Sequence, residues 1–132
     1  MLTQSHFVDL PTPKGMMRTY VHRPMDDKAY PAILFYSEIF QQTGPIERAA
    51  RFMAGKGYAM LVPEVFHELN PIGTVLGYDA AGRDKGNADK SAKDIQGYDS
   101  DNRAMIEYLS KQEWYNGNAV HDPYCSHVAT AL

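Results

Sequence analysis

An apolar run interrupted by a single acid is the feature that most constrains the fold of this chain. Residues 32–36 are Ala-Ile-Leu-Phe-Tyr, and Ser-Glu38-Ile-Phe follows directly. A short continuous apolar run is typical of a strand that is buried on both faces in the middle of a parallel sheet. Carboxylates are seldom buried without a partner, so Glu38, at or just past the end of this strand, needs a reason to be there. In open α/β sheets ligands bind beyond the carboxyl ends of the strands, which makes Glu38 a candidate site residue.

The composition is that of an ordinary globular domain. The chain has 132 residues, 44% hydrophobic and 22% charged, which is enough for one domain with a modest core. The net charge of −3 argues against a nucleic-acid partner, and no apolar run approaches the length of a membrane span. The N-terminus lacks the basic start and apolar core of a signal peptide. The single cysteine, Cys125, excludes an internal disulfide and fits a reducing compartment, so we expect a cytoplasmic protein.

The first third of the chain predicts strands separated by turns. Residues 11–15, Pro-Thr-Pro-Lys-Gly, indicate a turn. The alternation of Arg18, Tyr20 and His22 predicts a strand over residues 17–23 with these three side chains on one face. We therefore expect an amino-terminal strand or hairpin before the buried strand.

A helix and a second buried strand are predicted next. Gly44 and Pro45 open the helix, since proline suits the first helical position. Its apolar face, at helical spacing, consists of Ile46, Ala49, Ala50 and Met53. Residues 55–57, Gly-Lys-Gly, end the helix, and residues 58–62 form a short apolar run stopped by Pro63. A strand, a helix and a strand in this order predict a right-handed parallel crossover.

The second half of the chain gives weaker signals. Residues 64–91 are polar and glycine-rich and predict a long loop, of the kind that is usually functional or partly disordered. A helix is predicted over residues 95–111, with an apolar stripe formed by Tyr98, Met105, Ile106 and Leu109. Asp99 and Asp101 lie in its first turns, where the helix dipole favours negative charge. From Asn118 onward the chain is too polar, and too close to a proline, to predict a central strand.

Several segments form a recognisable series through their order and spacing, and they are Ser37-Glu38-Ile39-Phe40, Thr43-Gly44-Pro45-Ile46-Glu47-Arg48, Ala54-Gly55-Lys56-Gly57-Tyr58, Pro63, Phe66-His67-Glu68, Gly77-Tyr78-Asp79, Gly82-Arg83-Asp84-Lys85-Gly86-Asn87 and Tyr98-Asp99-Ser100-Asp101. Together, over about the first 117 residues, they resemble the dienelactone hydrolase family of the α/β-hydrolase fold. The resemblance implies a partial α/β-hydrolase fold, a mostly parallel sheet flanked by helices. It places the amino-terminal half of such a domain at residues 1–117 and an atypical tail at residues 118–132.

The resemblance also implies a site and a reaction. The family hydrolyses lactones and carboxylic esters through a cysteine nucleophile, and a glutamate after the third strand holds and helps to activate the thiol. Glu38 matches that glutamate, and the backbone N–H of Ile39 matches one arm of the oxyanion hole. Small-molecule esters or lactones are the substrates so implied, and we expect no cofactor and no metal.

Cys125 lies where the family's nucleophile is expected, but its neighbours differ from the Gly-x-Cys-x-Gly context of the family. Tyr124 and Ser126 flank it, with Pro123 and His127 beyond. A nucleophile elbow needs small residues at these places, so an incidental thiol is the competing interpretation. The chain also stops before the family's aspartate and histidine, from which we expect a truncated product.

Other polar residues have weaker functional interpretations. Arg83 and Lys85 are candidates for binding a substrate carboxylate, although solvated loop charges are the more common case. His121, Cys125 and His127 suit zinc chemically but match no standard zinc spacing. Three residues of the long loop, Glu64, His67 and Glu68, fit a pocket lining better than a metal site.

Two further hypotheses remain beside an ester or lactone hydrolase. One is an inactive fragment that pairs with itself or with another chain, because a sheet this small leaves an apolar edge open to association. The other is a remnant that binds small ligands through the loop over residues 64–91.

Overall fold

The fold is a five-stranded mixed sheet with three helices, seen in a computed structural model that describes residues 2–36 and 43–121. The elements, in chain order, are β1 (Thr3–Thr12), β2 (Gly15–Pro24), β3 (Tyr30–Leu34), α1 (Gly44–Ala54), β4 (Ala59–Pro63), α2 (Ala80–Ala92), α3 (Ile95–Ser110) and β5 (Tyr115–His121). Within the described ranges, none of the helices combines the length and the apolar character needed to cross a membrane.

The sheet order is β1-β2-β4-β3-β5, and β3 lies between two parallel neighbours. The amino-terminal strands β1 and β2 are antiparallel to each other, and β2 is antiparallel to β4. Ala32 and Leu34 are at most 2% exposed, and Ile33 between them is 9% exposed. The prediction of a strand buried on both faces within a parallel sheet is therefore confirmed.

The amino-terminal hairpin forms around the predicted turn. β1 ends at Thr12 and β2 begins at Gly15, whose φ of +123° only glycine adopts readily. Met17 and Val21 on β2 are fully buried, whereas Arg18 and Tyr20 on the opposite face are partly exposed. The period-two pattern of the sequence thus gives the two faces of β2, although His22, on the same face as Arg18 and Tyr20, is buried.

Helix α1 begins and ends where the sequence predicts. Ile46, Ala50 and Ala54, spaced by four residues, are its buried side chains. Ala49, which was expected on the same face, is exposed, so that part of the prediction was wrong. A run of buried residues at i, i+4 and i+8 leaves i+3 at the rim of the stripe, where an alanine gains little from burial.

The prediction of a long loop over residues 64–91 is wrong, because helix α2 occupies residues 80–91. The carboxylate of Asp79 accepts a hydrogen bond from Gly82 N at 2.7 Å and caps the helix. Gly82, Gly86 and Asp89 are the buried positions of α2. Their spacing of four and three residues is helical, so these glycines mark a close packing face, although their number in the sequence indicated a loop.

A Cβ atom at Gly82 would lie 1.9 Å from the carbonyl oxygen of Gly77. The backbone before the helix therefore packs directly on the first turn of α2, and only glycine fits at this place.

Helix α3 matches its prediction to within one residue. Its buried side chains include Tyr98, Met105 and Leu109, as expected. Ile106 is 40% exposed and does not belong to the apolar stripe. Asp101 lies in the first turns of the helix, as predicted, and is buried, with an exposed fraction of 1%.

Strand β5 forms in the region where the sequence did not predict a central strand. It pairs in parallel with β3, which is its only neighbour among the described strands. β5 runs across the boundary after Gly117 that the sequence suggested between the two parts of the chain. That boundary stays a prediction.

A buried ionic network joins α2 and α3 to the segment after β4. Lys93 Nζ donates hydrogen bonds to Asp101 Oδ2 and to the carbonyl oxygen of Val65, and lies 3.0 Å from Glu68 Oε1. His67 Nε2 lies 3.0 Å from Asp101 Oδ1. The side chains of Lys93, His67 and Asp101 are no more than 2% exposed, so the network replaces water as the partner of the Lys93 ammonium and the Asp101 carboxylate.

Replacing Gly82 by alanine should destabilise the fold by about 2 kcal/mol, since the added Cβ meets backbone that cannot move away easily. Urea unfolding gives the free energy of unfolding directly. Gly44→Ala is the matched control, because its Cβ meets only the flexible end of Arg48, at 3.2 Å. We expect the control to be neutral or stabilising by up to about 1 kcal/mol. Equal effects of the two substitutions would contradict the close packing of Gly82 on Gly77.

Asp101→Asn should cost about 3 kcal/mol of stability, because it leaves the buried Lys93 ammonium without its closest counter-ion. Asp99→Asn, two residues earlier on the same helix, is the control. Asp99 pairs with Arg103 at 2.7 Å, but both side chains are more than half exposed, so its loss should cost less than about 1 kcal/mol. The two variants are compared by urea unfolding at one pH. A loss for Asp101→Asn no larger than that for Asp99→Asn would rule out the buried pair as a strong constraint.

Candidate functional site

The candidate site lies at the carboxyl edge of the sheet, where β3, β4 and β5 end together. Beyond the end of β3, Phe35 N donates to Leu61 O at 2.8 Å, so pairing with β4 continues for one more residue. Tyr36 is fully buried, and its hydroxyl donates to Asn102 Oδ1 on α3. The point at which the chain leaves β3 is thereby held by both the sheet and a helix.

Three of the four residues that the sequence nominated lie outside the described residues. Glu38 and Ile39 fall between Tyr36 and Thr43, and Cys125 follows the last described residue, His121. Their roles therefore stay predictions. What the structure does give is the position of the chain immediately before and after residues 37–42 and the position of His121, four residues before Cys125.

The register of β3 and β5 relates these positions to each other. The two strands are parallel, and Leu34 pairs with His121. Glu38 follows Leu34 by four positions, and Cys125 follows His121 by four positions. Because neighbouring strands are about 4.8 Å apart, the chain leaves both strands for these two residues at adjacent places on one edge.

Glu64, directly after β4, is buried and fully engaged. Tyr20 Oη donates to Glu64 Oε2 at 3.1 Å, and Gly73 N donates to both carboxylate oxygens at 3.0 and 3.1 Å. Burial, together with the negative charge of Glu64, raises the pKa of Tyr20 to about 12. Glu64 thus links Tyr20 on β2 to the backbone of Gly73, in the segment that follows β4.

His67 and Glu68 turn away from Glu64 and toward the buried network. His67 Nε2 contacts Asp101, and Glu68 lies 3.9 Å from the same nitrogen. Among the described residues, no group of three or more histidine, cysteine or acidic side chains is arranged to hold a metal ion. The ion pair of Lys93 and Asp101 was not predicted from the sequence, because eight residues separate them and they lie at the end of α2 and in α3.

Arg83 is the one nominated site residue that the structure describes. It lies in the first turn of α2, where its backbone N–H donates to Asp79 O at 2.9 Å. Its side chain is exposed and forms no ion pair within residues 2–36 and 43–121. Lys85, the other cation considered for a substrate carboxylate, pairs with Asp89 one turn later. Of the two cations, Arg83 is thus the one left available to a ligand.

Tyr78 is a site feature that the sequence did not single out. Its hydroxyl lies 2.7 Å from Thr43 Oγ1, and its side chain is 59% exposed. Thr43 is the N-cap residue of α1, yet its hydroxyl makes no capping hydrogen bond. The clue in the sequence is the Gly77-Tyr78-Asp79 segment, in which a large aromatic residue stands between a glycine and a helix cap.

An open cleft of about 390 Å³ lies at the other end of the sheet. It is lined in part by Arg23, Met25 and Trp114, and Trp114 O accepts a hydrogen bond from Tyr30 N at the start of β3. The cleft therefore belongs to the amino edge of the parallel strands and does not coincide with the candidate site.

Comparison with known proteins gives one sequence relative and many structural ones. No protein-family model matches the chain. A Saccharomyces cerevisiae protein described as "Putative carboxymethylenebutenolidase" is 33% identical over 126 residues, which cover 91% of this chain and 45% of that protein. The chain thus spans a little less than half the length of this relative.

The structural neighbours include dienelactone hydrolases. A "Putative Dienelactone Hydrolase" of Klebsiella pneumoniae has a TM-score of 0.75 at 18% identity, with 92% of this chain and 49% of that one covered. A dienelactone hydrolase-like promiscuous phosphotriesterase from metagenomic libraries has a TM-score of 0.72 at 18% identity, covering 98% and 54%. At this identity the structures show a common fold alone, and the sequence match adds descent. The chain belongs to the dienelactone hydrolase (carboxymethylenebutenolidase) family of the α/β-hydrolase fold.

Proposed function

We propose that this chain hydrolyses carboxylic esters or lactones, with Cys125 as the thiol nucleophile and Glu38 as the group that holds and activates it. The observation that carries the proposal is the parallel register of β3 and β5. Leu34 and His121 are paired on adjacent strands, and Glu38 and Cys125 each follow four positions later in the sequence. A nucleophile and its base must approach within hydrogen-bond distance, and equal offsets from a strand pair favour that approach.

The reaction follows from the chemistry of these groups. The Glu38 carboxylate accepts the thiol proton, and the thiolate sulfur attacks the carbonyl carbon of the ester. The backbone N–H of Ile39 donates to the oxyanion that forms. The alkoxide leaves with the proton from Glu38, and a thioester remains. Water then attacks the thioester, which releases the acid and restores the thiol. In a lactone the two products stay joined as one hydroxy acid.

Two further observations support a small carboxylate-bearing ester or lactone as the substrate. The exposed guanidinium of Arg83 is free to pair with a carboxylate, and the fork geometry of arginine suits that partner. The name of the yeast relative indicates a lactone as its substrate. Since the chain spans 45% of that relative, the transfer of this activity is part of the proposal.

Hydrolysis of p-nitrophenyl acetate and of a conjugated five-membered lactone tests the proposal. Cys125→Ser should lower kcat/KM by about a thousandfold or more, because a hydroxyl at this place lacks the ionisation of the thiol. Glu38→Gln should lower it by about a hundredfold or more through loss of the base. Glu107→Gln is the control, since Glu107 is an exposed residue of α3 and should leave the rate unchanged. Full activity in Cys125→Ser would eliminate the thiol mechanism.

The ionisation of the thiol gives a second test that needs no turnover. Cys125 is the only cysteine, so the rate of alkylation by iodoacetamide as a function of pH reports its pKa alone. A neighbouring carboxylate disfavours the thiolate, so Glu38→Gln should lower the pKa of the thiol. Glu107→Gln should leave that pKa where it is. Identical pH profiles for the unmodified chain and Glu38→Gln would show that the two side chains do not meet.

A further inference from the structure

Strand β1 lies at one end of the sheet, and β2 is the only strand paired with it in the part of the chain that the structure describes. Long edge strands are usually protected by basic side chains, by bulges or by a covering segment. β1 is ten residues long, contains neither lysine nor arginine, and pairs with β2 from Thr3 to Thr12 without a bulge. Its far edge is therefore suited to pairing with another strand.

Alternate residues of β1 present their backbone groups at this far edge. Met25 N donates to Leu2 O at 2.9 Å, so the even-numbered residues point toward β2. Arg18, which is paired with Asp9, directs its carbonyl away from β1, where it accepts from Glu64 N at 2.8 Å. Inward and outward directions alternate along antiparallel strands. The odd-numbered residues thus point outward, and they are Thr3, Ser5, Phe7, Asp9 and Pro11.

The middle of the edge carries an exposed ring and a neutralised acid. The carboxylate of Asp9 accepts hydrogen bonds from Arg18 Nε at 2.9 Å and from Arg18 Nη2 at 3.1 Å. The same guanidinium lies 3.9 Å from the centroid of the Phe7 ring, and Tyr20 meets that ring edge-on at 6.4 Å. Phe7 is still 51% exposed. An apolar ring supported by two neighbours therefore remains available to a partner strand.

We propose that β1 is a self-association surface, on which a second copy of the chain pairs antiparallel through its own β1. The two Phe7 residues face each other across the twofold axis, so each exposed ring covers the other. Ser5 of each copy then lies opposite Asp9 of the other, and no two like charges are opposed. Phe7 is near the midpoint of β1, so this register uses almost the whole strand.

Pro11 fits the same register. It falls at the two ends of the new strand pair, opposite Thr3 of the other copy, where its missing N–H removes one terminal hydrogen bond on each side. The pairing joins the two five-stranded sheets into one. A single strand pair buries less than the roughly 1,600 Å² of a standard interface, so the expected dimer is weak and reversible.

Sedimentation equilibrium from about 20 μM to about 1 mM should therefore show a monomer and a dimer in equilibrium. Phe7→Lys removes the aromatic pair and sets two ammonium groups opposite each other, which should raise the dissociation constant at least about tenfold. Phe52→Lys is the matched control, because Phe52 is 63% exposed on α1, and it should leave the constant unchanged. A monomer at all concentrations, or equal effects of the two substitutions, would overturn the proposal.

Hydrogen–deuterium exchange of the unmodified chain locates the interface without any substitution. The outward N–H groups of Ser5, Phe7 and Asp9 should exchange about threefold or more slowly at about 1 mM than at about 50 μM, because pairing removes them from water. The inward N–H groups of His6 and Val8 bond to β2 in both states and should change much less. A dimer whose outward amides gain no protection would reject pairing through this edge.

Disulfide cross-linking tests the register in a Cys125→Ser background. The proposed axis places His6 of one copy opposite Val8 of the other. Oxidation of an equimolar mixture of His6→Cys and Val8→Cys chains should give mainly the mixed dimer, because directly opposed Cβ atoms lie about 4.5–5.5 Å apart. Preferential cross-linking of His6→Cys chains with each other would place the axis at another residue and overturn the register.

Discussion

The parallel pairing of β3 with a strand on each side is the constraint on which the rest of this fold depends. A strand with two hydrogen-bonded neighbours and two covered faces has to be apolar along its whole length, and Ala32, Ile33 and Leu34 meet that demand. Parallel neighbours also bring their carboxyl ends to one edge. Polar residues that follow such strands are then gathered at that edge, although they are far apart in the sequence.

Helix α3 holds this edge together from one side. Two consecutive residues do so: Asp101 binds Lys93 and His67, and Asn102 accepts the hydrogen bond of Tyr36. Lys93 in turn donates to the carbonyl of Val65, just after β4. The exits of β3 and β4 are thus tied to neighbouring positions on one helix. Replacing such a buried ionic group by apolar residues is often neutral for stability, so its contribution here is better described as fixing the relative position of the elements.

The sequence was informative where a single physical effect dominates. The apolar run of β3 and the apolar stripe with Tyr98, Met105 and Leu109 were assigned correctly, because burial alone decides them. α2 was missed, because glycine normally disfavours helices and its packing value appears only when Gly77 lies against Gly82. The burial of Asp101 was not predicted for a similar reason: a counter-ion on another element decides whether an acid is buried, and periodicity does not reveal it.

Less of the candidate site than of the fold can be checked against its prediction from the sequence. Family resemblance nominated Glu38, Ile39 and Cys125, and side-chain chemistry nominated Arg83; of these four the structure describes Arg83 alone. The contact between Thr43 and Tyr78 joins residues 35 positions apart, so the local pattern around Tyr78 marks the segment but does not reveal its partner.

Strands and helices differ from the segments that connect them in what their side chains can do, which explains why the candidate site residues are expected in connecting segments. Strands and helices satisfy their own backbone groups, so their side chains are committed to packing, as those of β3 and α3 are. The side chains of connecting segments are less often needed for packing, but these segments need fixed ends before they can hold a reacting group in place. Tyr36 and Thr43 supply such ends for residues 37–42, one through Asn102 and the other through Tyr78. A base that acts on a neighbouring thiol requires such fixed ends, because it has to be held within hydrogen-bond distance of the thiol before any substrate binds.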